Sequence, residues 1–346
     1  MKRTSVRIMM LLLAAACAGC ESPYLHTKHA GGPRDTTNRS WSLNEDGSWS
    51  SVQPWEFMGV QGKLIETPHW EIYTTIDNER FVGFLPEFYE AALERYRSSL
   101  GELPPPPHAM ATYLFGDRRQ WKNKTRMMLP ELASSFEGLG RGGFTADGVA
   151  VLYDIDNSMW DRDTLSLSAH EGWHQYAQTT FQQQLPPWLD EGIATMMEGF
   201  RIRRSTFDFS VDANRERSYR LRSARRSDSL IPLRDLLDGD PHVFLGQGKS
   251  DLLTYYAQVW ALARYLSEAE DARYLPALQN VLMLAIEGDL FRQLLRSDAA
   301  ARREDPSDSA TGVVFIEAFF NDDFDEFAAG YDAWVDELTS RRMRWR

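Results

Sequence analysis

Ser168-Ala169-His170-Glu171-Gly172-Trp173-His174-Gln175-Tyr176 carries the pattern His-Glu-x-x-His inside a run that reads as helix. On a helix, side chains four residues apart stand one above the other, so His170 and His174 direct their imidazoles at one point. Two neutral imidazoles at one point suit a borderline-soft divalent ion. Glu171, one position along, projects to the side, where its carboxylate can take a proton from water activated by such an ion. The same spacing also arises in unrelated helices with surface or capped histidines. What separates the two cases is a third protein ligand, which zinc catalysis requires.

Reading downstream, Pro186-Pro187-Trp188-Leu189-Asp190-Glu191-Gly192-Ile193-Ala194 begins a second helix, with proline in its first turn. Leu189, Ile193, Met196 and Phe200 are expected to form its buried stripe, while Glu191, Thr195 and Glu198 fall on another face. Two carboxylates on a helix committed to the core need a partner, and a cation shared with the His170 helix would supply one.

Upstream, Trp70, Ile72, Thr74 and Ile76 alternate with more polar neighbours, the period of a strand. Leu85, Phe88, Tyr89, Ala92, Leu93 and Tyr96 follow helical spacing, with Pro86 near the start and four prolines at 104–107 ending the unit. Ala109–Phe115 is a second strand, and Asp117 opens a short polar helix around Trp121. Gly138-Leu139-Gly140-Arg141-Gly142-Gly143 reads as a mobile loop before a hairpin rather than a phosphate loop, because a strand, Val149–Tyr153, follows it. Asp163 or Thr164 is the expected cap of the His170 helix. Beyond it the chain is mostly helical, and Phe324, Phe327, Tyr331, Trp334 and Leu338 mark the buried face of a C-terminal helix. The fold class is α+β, a small mixed sheet followed by a mostly helical C-terminal half.

With 346 residues the chain can bury a substantial core. A net charge of -12 and a pI near 5.1 argue against a nucleic-acid partner, whose binding rests on Lys and Arg neutralising phosphates. Lys2, Arg3 and Arg7 precede an apolar run, Ile8 to Ala16, too short to span a bilayer, the form of a signal peptide. It ends in Cys17-Ala18-Gly19-Cys20, which resembles the bacterial lipobox and implies lipid modification at Cys20, with Cys17 as second choice. No cysteine follows Cys20, so no disulfide is expected in the mature domain. The organisation expected is a signal peptide at 1–19, a flexible linker at 20–52 rich in Gly, Ser, Thr and Asn, and one domain at 53–346, α+β to about 180 and helical from 181. Its expected location is extracytoplasmic, tethered by lipid to the cell envelope, with a lean to the outer membrane.

The two helices together resemble the gluzincin zinc metallopeptidases, the group that includes thermolysin and the leucotriene-hydrolase-like aminopeptidases. In that family the His-Glu-x-x-His helix is followed by a glutamate ligand, often within Trp-Leu-x-Glu-Gly, and this chain has Trp188-Leu189-Asp190-Glu191-Gly192. The resemblance implies one Zn²⁺ held by His170, His174 and Glu191, with Glu171 as general base, and a peptide or protein substrate. It also implies a tyrosine that steadies the oxyanion: Tyr255-Tyr256-Ala257-Gln258-Val259 matches that segment, with Tyr256 as the donor and Tyr255 as substitute, although Gln258 and Val259 stand where the family has Lys and Gly. No Gly-x-Met-Glu-Asn-like segment is present, so aminopeptidase specificity does not carry over. No third histidine follows His174 closely, which sets the metzincins aside. The nearest likeness is to peptidase-MA-like bacterial lipoproteins with a His-Glu-Gly-x-His-Gln motif; it covers about residues 65–340 and is sharp at 168–200 and 255–266. By analogy with the family, Val149–Tyr153 is the edge strand that would pair with an extended peptide. The rival reading is a cell-envelope binding or scaffold lipoprotein that keeps the fold without turnover.

Three further features read as structural. The arginines at 215, 217, 220, 222, 225 and 226 form a helix face expected to pair with nearby acids. His69, His108 and His242 lack ligand spacing. Gly172 lowers helix stability by roughly 1 kcal/mol relative to Ala, which close approach to a neighbouring element would explain.

Overall fold

The computed structural model describes residues 50–131, 142–155, 161–203, 206–239, 244, 249–304 and 311–340. Cys17, Cys20, the signal peptide, most of the spacer, Gly138–Arg141 and His242 lie outside them. The described residues form two compact units, one made of those up to Tyr96, those within Pro104–Thr180 and those within Ile202–Asp208, the other of Arg97–Leu103, Phe181–Arg201 and the described residues from Phe209 to 340.

In the first unit the order is β1 (Ser51–Phe57), β2 (Val60–Glu66), β3 (Trp70–Thr74), α1 (Glu79–Val82), α2 (Leu85–Ser98), β4 (Met110–Phe115), α3 (Arg118–Met128), β5 (Phe144–Ala146), β6 (Val149–Tyr153) and α4 (Arg162–Thr180). The strands make one mixed sheet in the order β1-β2-β3-β4-β6-β5. The two parallel pairings, β3 with β4 and β4 with β6, follow crossovers through α1 and α2 and through α3, as parallel strands require.

Strand periodicity divides the residues between two faces. Trp70, Ile72, Met110, Leu114, Ala150 and Leu152 are buried on one side; Tyr113, Phe115, Val151 and Tyr153 are buried on the other, where Trp121 of α3 joins them. The Trp121 indole donates to the Val151 carbonyl at 3.1 Å, and Asp117 caps α3 by accepting from the Arg119 amide, as expected. Lys124 lays its amine 3.7 Å over the Tyr113 ring, where burial lowers its pKa to about 8.

Several expectations are corrected. Two strands precede Trp70, where the sequence showed none; Pro54, Gly59 and Gly62 interrupt the alternation that would have announced them. Val149–Tyr153 is an interior strand, paired with β4 on one side and β5 on the other, so the sheet ends at β5. The cap of α4 is Asp161, whose carboxylate accepts from the Thr164 amide at 2.8 Å and from the Thr164 hydroxyl. Asp161 is fully buried, so the helix start is set by where its carboxylate is held rather than by the first capping residue type in the sequence.

The second unit contains α5 (Pro187–Met197), α6 (Arg215–Arg226), α7 (Leu233–Asp238), α8 (Lys249–Ala272), α9 (Leu275–Glu287), α10 (Leu290–Arg296), α11 (Asp298–Ala301), α12 (Gly312–Phe319) and α13 (Phe324–Ser340). In sequence a short ribbon, β7 (Phe200–Arg203) with β8 (Thr206–Phe209), follows α5, and its Ile202–Asp208 part is assigned to the first unit. Phe200 is buried but belongs to that ribbon, because α5 stops at Met197. Helical geometry in α8 breaks at Ala269. The expected face of α13 is buried, and its Tyr331 and Trp334 donate to the carbonyls of Gln258 and Ala261 at 3.0 and 3.2 Å.

Gly172 answers to its surroundings in the first unit. A Cβ there would stand 2.6 Å from the Tyr96 hydroxyl, which donates to the Ala169 carbonyl at 2.7 Å, and 3.5 Å from the Trp70 ring. Gly172→Ala gains about 1 kcal/mol of helix propensity but overpacks a filled site at a cost of roughly 1–3 kcal/mol. The expected result is a lower urea midpoint for Gly172→Ala and partial recovery in the double variant with Tyr96→Phe; a midpoint above wild type would contradict this packing.

Candidate metal centre

The polar residues of α4 lie in a helix that is buried on most sides. Leu165, Ala169, Trp173 and Tyr176 are nearly inaccessible, and so are His170 and Glu171, each 7% exposed, and Gln175 at 0%. Each polar group therefore needs a partner. Gln175 satisfies its amide from β4 and the hairpin turn: Oε1 accepts from the Thr112 hydroxyl at 2.9 Å, and Nε2 donates to the carbonyls of Ala111 and Gly148 at 2.6 and 2.8 Å. Glu171 accepts at Oε2 from the Thr145 hydroxyl at 2.9 Å.

The two histidines face each other, with their Nε2 atoms 3.3 Å apart and their ring planes at 73°. Tetrahedral zinc with bonds of about 2.05 Å separates two nitrogen ligands by about 3.3 Å, so the imidazole pair has the bite such an ion needs.

Glu191 is 5% exposed and lies one residue before Gly192 in α5. Pro187 opens that helix, and Leu189 and Ile193 anchor it in the core. A Cβ at Gly192 would meet the Val259 carbonyl at 2.7 Å and Ala263 at 3.1 Å, so α5 lies on α8 at backbone distance only because that position is glycine. Ligand atoms of His170, His174 and Glu191 all lie within 4.8 Å of one another, forming a possible metal-binding triad among the described residues. Two imidazole nitrogens and one carboxylate oxygen, with His170 and Glu191 buried and His174 half-buried, are a donor set of the kind that holds a metal ion.

Glu198 finds another cation. Arg217 of α6 binds it through Nε at 3.0 Å and Nη2 at 2.7 Å, and the Asn214 amide, which also caps α6, donates to it at 2.7 Å. Burial works against the Arg217 charge, but the Glu198 carboxylate outweighs it and holds the guanidinium above its ordinary pKa. The shared cation expected for Glu191 and Glu198 is thus a guanidinium for the second of them.

The Arg217 guanidinium also lies 4.9 Å over the ring of Tyr256, which is half-buried. Tyr255 is fully buried and stacks on Phe244 with centroids 4.8 Å apart, the position of a core residue. Gln258, where the resembled family has Lys, exchanges two hydrogen bonds with the backbone of Ile231 at 2.7 and 2.8 Å. Other arginines of α6 pair locally: Arg225 with Asp336 at 2.7 Å, and Arg222 with the Thr339 carbonyl at 3.2 Å. His69 is bound to Glu90 at 2.8 Å, and His108 contacts its neighbour's carbonyl.

Sequence reading overlooked Thr145, Asn214 and the pairing of Arg217 with Glu198. The Asp147-Gly148 dipeptide before Val149 was the signal for the first, since both residues adopt positive φ in a tight hairpin turn that brings Thr145 back against α4.

The profile of the family described as "Protein of unknown function (DUF1570)" matches residues 164–282, a stretch that contains His170, Glu171, His174, Glu191 and Tyr256. No curated protein matches the chain.

Removing one member of a buried ion pair strands the other charge, at a cost of roughly 3–5 kcal/mol. Glu198→Gln is expected to lower stability by about that amount in urea denaturation while leaving metal content at the wild-type level. Loss of metal with unchanged stability would instead place Glu198 among the ligands.

Proposed function

We propose that this chain is a zinc-dependent metallopeptidase of the gluzincin type, with His170, His174 and Glu191 as ligands and Glu171 as general base. The observation that carries the reading is the convergence of the three ligand atoms within 4.8 Å, with the Glu171 carboxylate beside them in sequence and buried. When bound, zinc supplies a Lewis acid that polarises the scissile carbonyl and makes water nucleophilic near neutral pH. Glu171 accepts a proton as the water oxygen attacks the carbonyl carbon, then delivers it to the leaving amine nitrogen, so that one carboxylate serves both half-reactions. The Tyr256 phenol donates to the carbonyl oxygen as negative charge builds there. Its partial exposure suits that role, whereas Tyr255 is closed in the core. The residues that enclose Glu171 keep competing solvent away from it.

The substrate class is a peptide or protein. The lipobox-like segment supports an extracytoplasmic enzyme attached to the membrane through lipid on Cys20. This setting matches the spacer composition at 20–52.

Glu171→Gln keeps the shape of the side chain and removes its basicity. The expected outcome is wild-type zinc content, measured by elemental analysis, with peptide-library cleavage reduced roughly 100-fold or more, while Glu191→Ala loses zinc to a chelator that wild type resists. Full cleavage by Glu171→Gln, or a purified wild type without zinc, contradicts the proposal.

A further inference from the structure

The β5–β6 hairpin is fastened to α4 along a line of polar side chains spaced at one helical face: Glu171, Gln175 and Gln178. At the turn, the Gly148 amide donates to Gln178 Oε1 at 3.0 Å and the Gly148 carbonyl accepts from Gln175 Nε2 at 2.8 Å. Both bonds are made by turn backbone, and Gly148, at φ +72°, has no room for a Cβ beside the Thr179 hydroxyl, 2.8 Å away. The hairpin therefore has one register on the helix.

That register decides what stands opposite Glu171. Phe144 and Ala146 pack into the aromatic face of the sheet, so Thr145 between them points to the helix side. Its Oγ1 lies 2.9 Å from Glu171 Oε2 and 3.0 Å from the Glu171 carbonyl oxygen. A hydroxyl has one hydrogen, and the carboxylate is the stronger acceptor because the bond is charge-assisted. Threonine is also stiff at χ1, which suits a donor that must hold one direction.

We infer that Thr145 is a positioning residue for Glu171: its hydroxyl fixes the carboxylate rotamer, and Gln175 and Gln178 fix Thr145 by locking the hairpin. The inference rests on the reading of Glu171 as the base. A long, flexible glutamate beside a divalent ion has two competing positions, one aimed at water and one turned onto the ion as an extra ligand. Tethering one oxygen to β5 selects the first.

The test compares Thr145→Val, which keeps shape and removes the hydroxyl, with Thr145→Ser, which keeps the hydroxyl. Each is loaded with Co²⁺ in place of zinc, because its visible absorption reports coordination number without any turnover. The expected result is a change in the Co²⁺ spectrum of Thr145→Val toward higher coordination, with kcat for peptide cleavage lower by roughly 10- to 100-fold and KM little changed, and a return toward wild type in Thr145→Ser. Melting curves exclude a folding defect as the cause. Identical spectra and kcat in wild type and Thr145→Val overturn the positioning role while leaving the metal site standing. A wild-type chain that takes up no Co²⁺ overturns the site itself and the inference with it.

Discussion

A helix closed off from water on most of its surface carries unpartnered polar groups only at a cost, and α4 carries His170, Glu171, His174, Gln175 and Gln178 along its length. That constraint organises the first unit. Gln175 is accommodated because β4 offers the Thr112 hydroxyl and the Ala111 carbonyl, and because the hairpin turn offers the Gly148 carbonyl. Gln178 is accommodated by the same turn. Glu171 has Thr145, and the two imidazoles have each other across 3.3 Å. A shared cation satisfies the imidazole pair better than a shared proton, since it engages both nitrogens as acceptors. The chemistry proposed for the chain is thus continuous with what the helix needs in order to be buried.

Two glycines serve this arrangement by what they lack. Gly172 lets the Tyr96 phenol reach the Ala169 carbonyl beside the first histidine, and Gly192 lets α5 settle on α8 next to Glu191. Each lies one residue from a group of the proposed site, so helix propensity is given up where backbone approach is worth more. In the second unit Arg217 plays the part that a metal was expected to play for Glu198. A guanidinium gives two parallel hydrogen bonds to a carboxylate, and its face still covers Tyr256.

Much of this was legible in the residues. Alternation at Trp70, Ile72 and Thr74, helical spacing from Leu85 to Tyr96 and the apolar stripe of α13 reflect local period, which sequence displays directly. The possible metal-binding triad of His170, His174 and Glu191 was legible because metal binding asks for particular residue types at particular spacings. What stayed hidden depends on partners distant in sequence. β1 and β2 are short of alternation and are held by pairing, the identity of the edge strand depends on sheet order, and β5 is only three residues long. Glu198 looked like a ligand because Arg217, nineteen positions on, read as one of a run of surface arginines. Thr145 carries no signal of its own, since an isolated threonine in a short strand is ordinary until the hairpin register places it on Glu171.

The proposed chemistry requires that His170, His174 and Glu191 hold one divalent ion. Crystallographic anomalous difference density at the zinc edge, from protein purified without chelator, tests it most directly. The expected result is a single peak at about 2.0–2.2 Å from an imidazole nitrogen of each histidine and a carboxylate oxygen of Glu191. No peak between these three side chains, or a peak coordinated elsewhere while they remain apart, would contradict it.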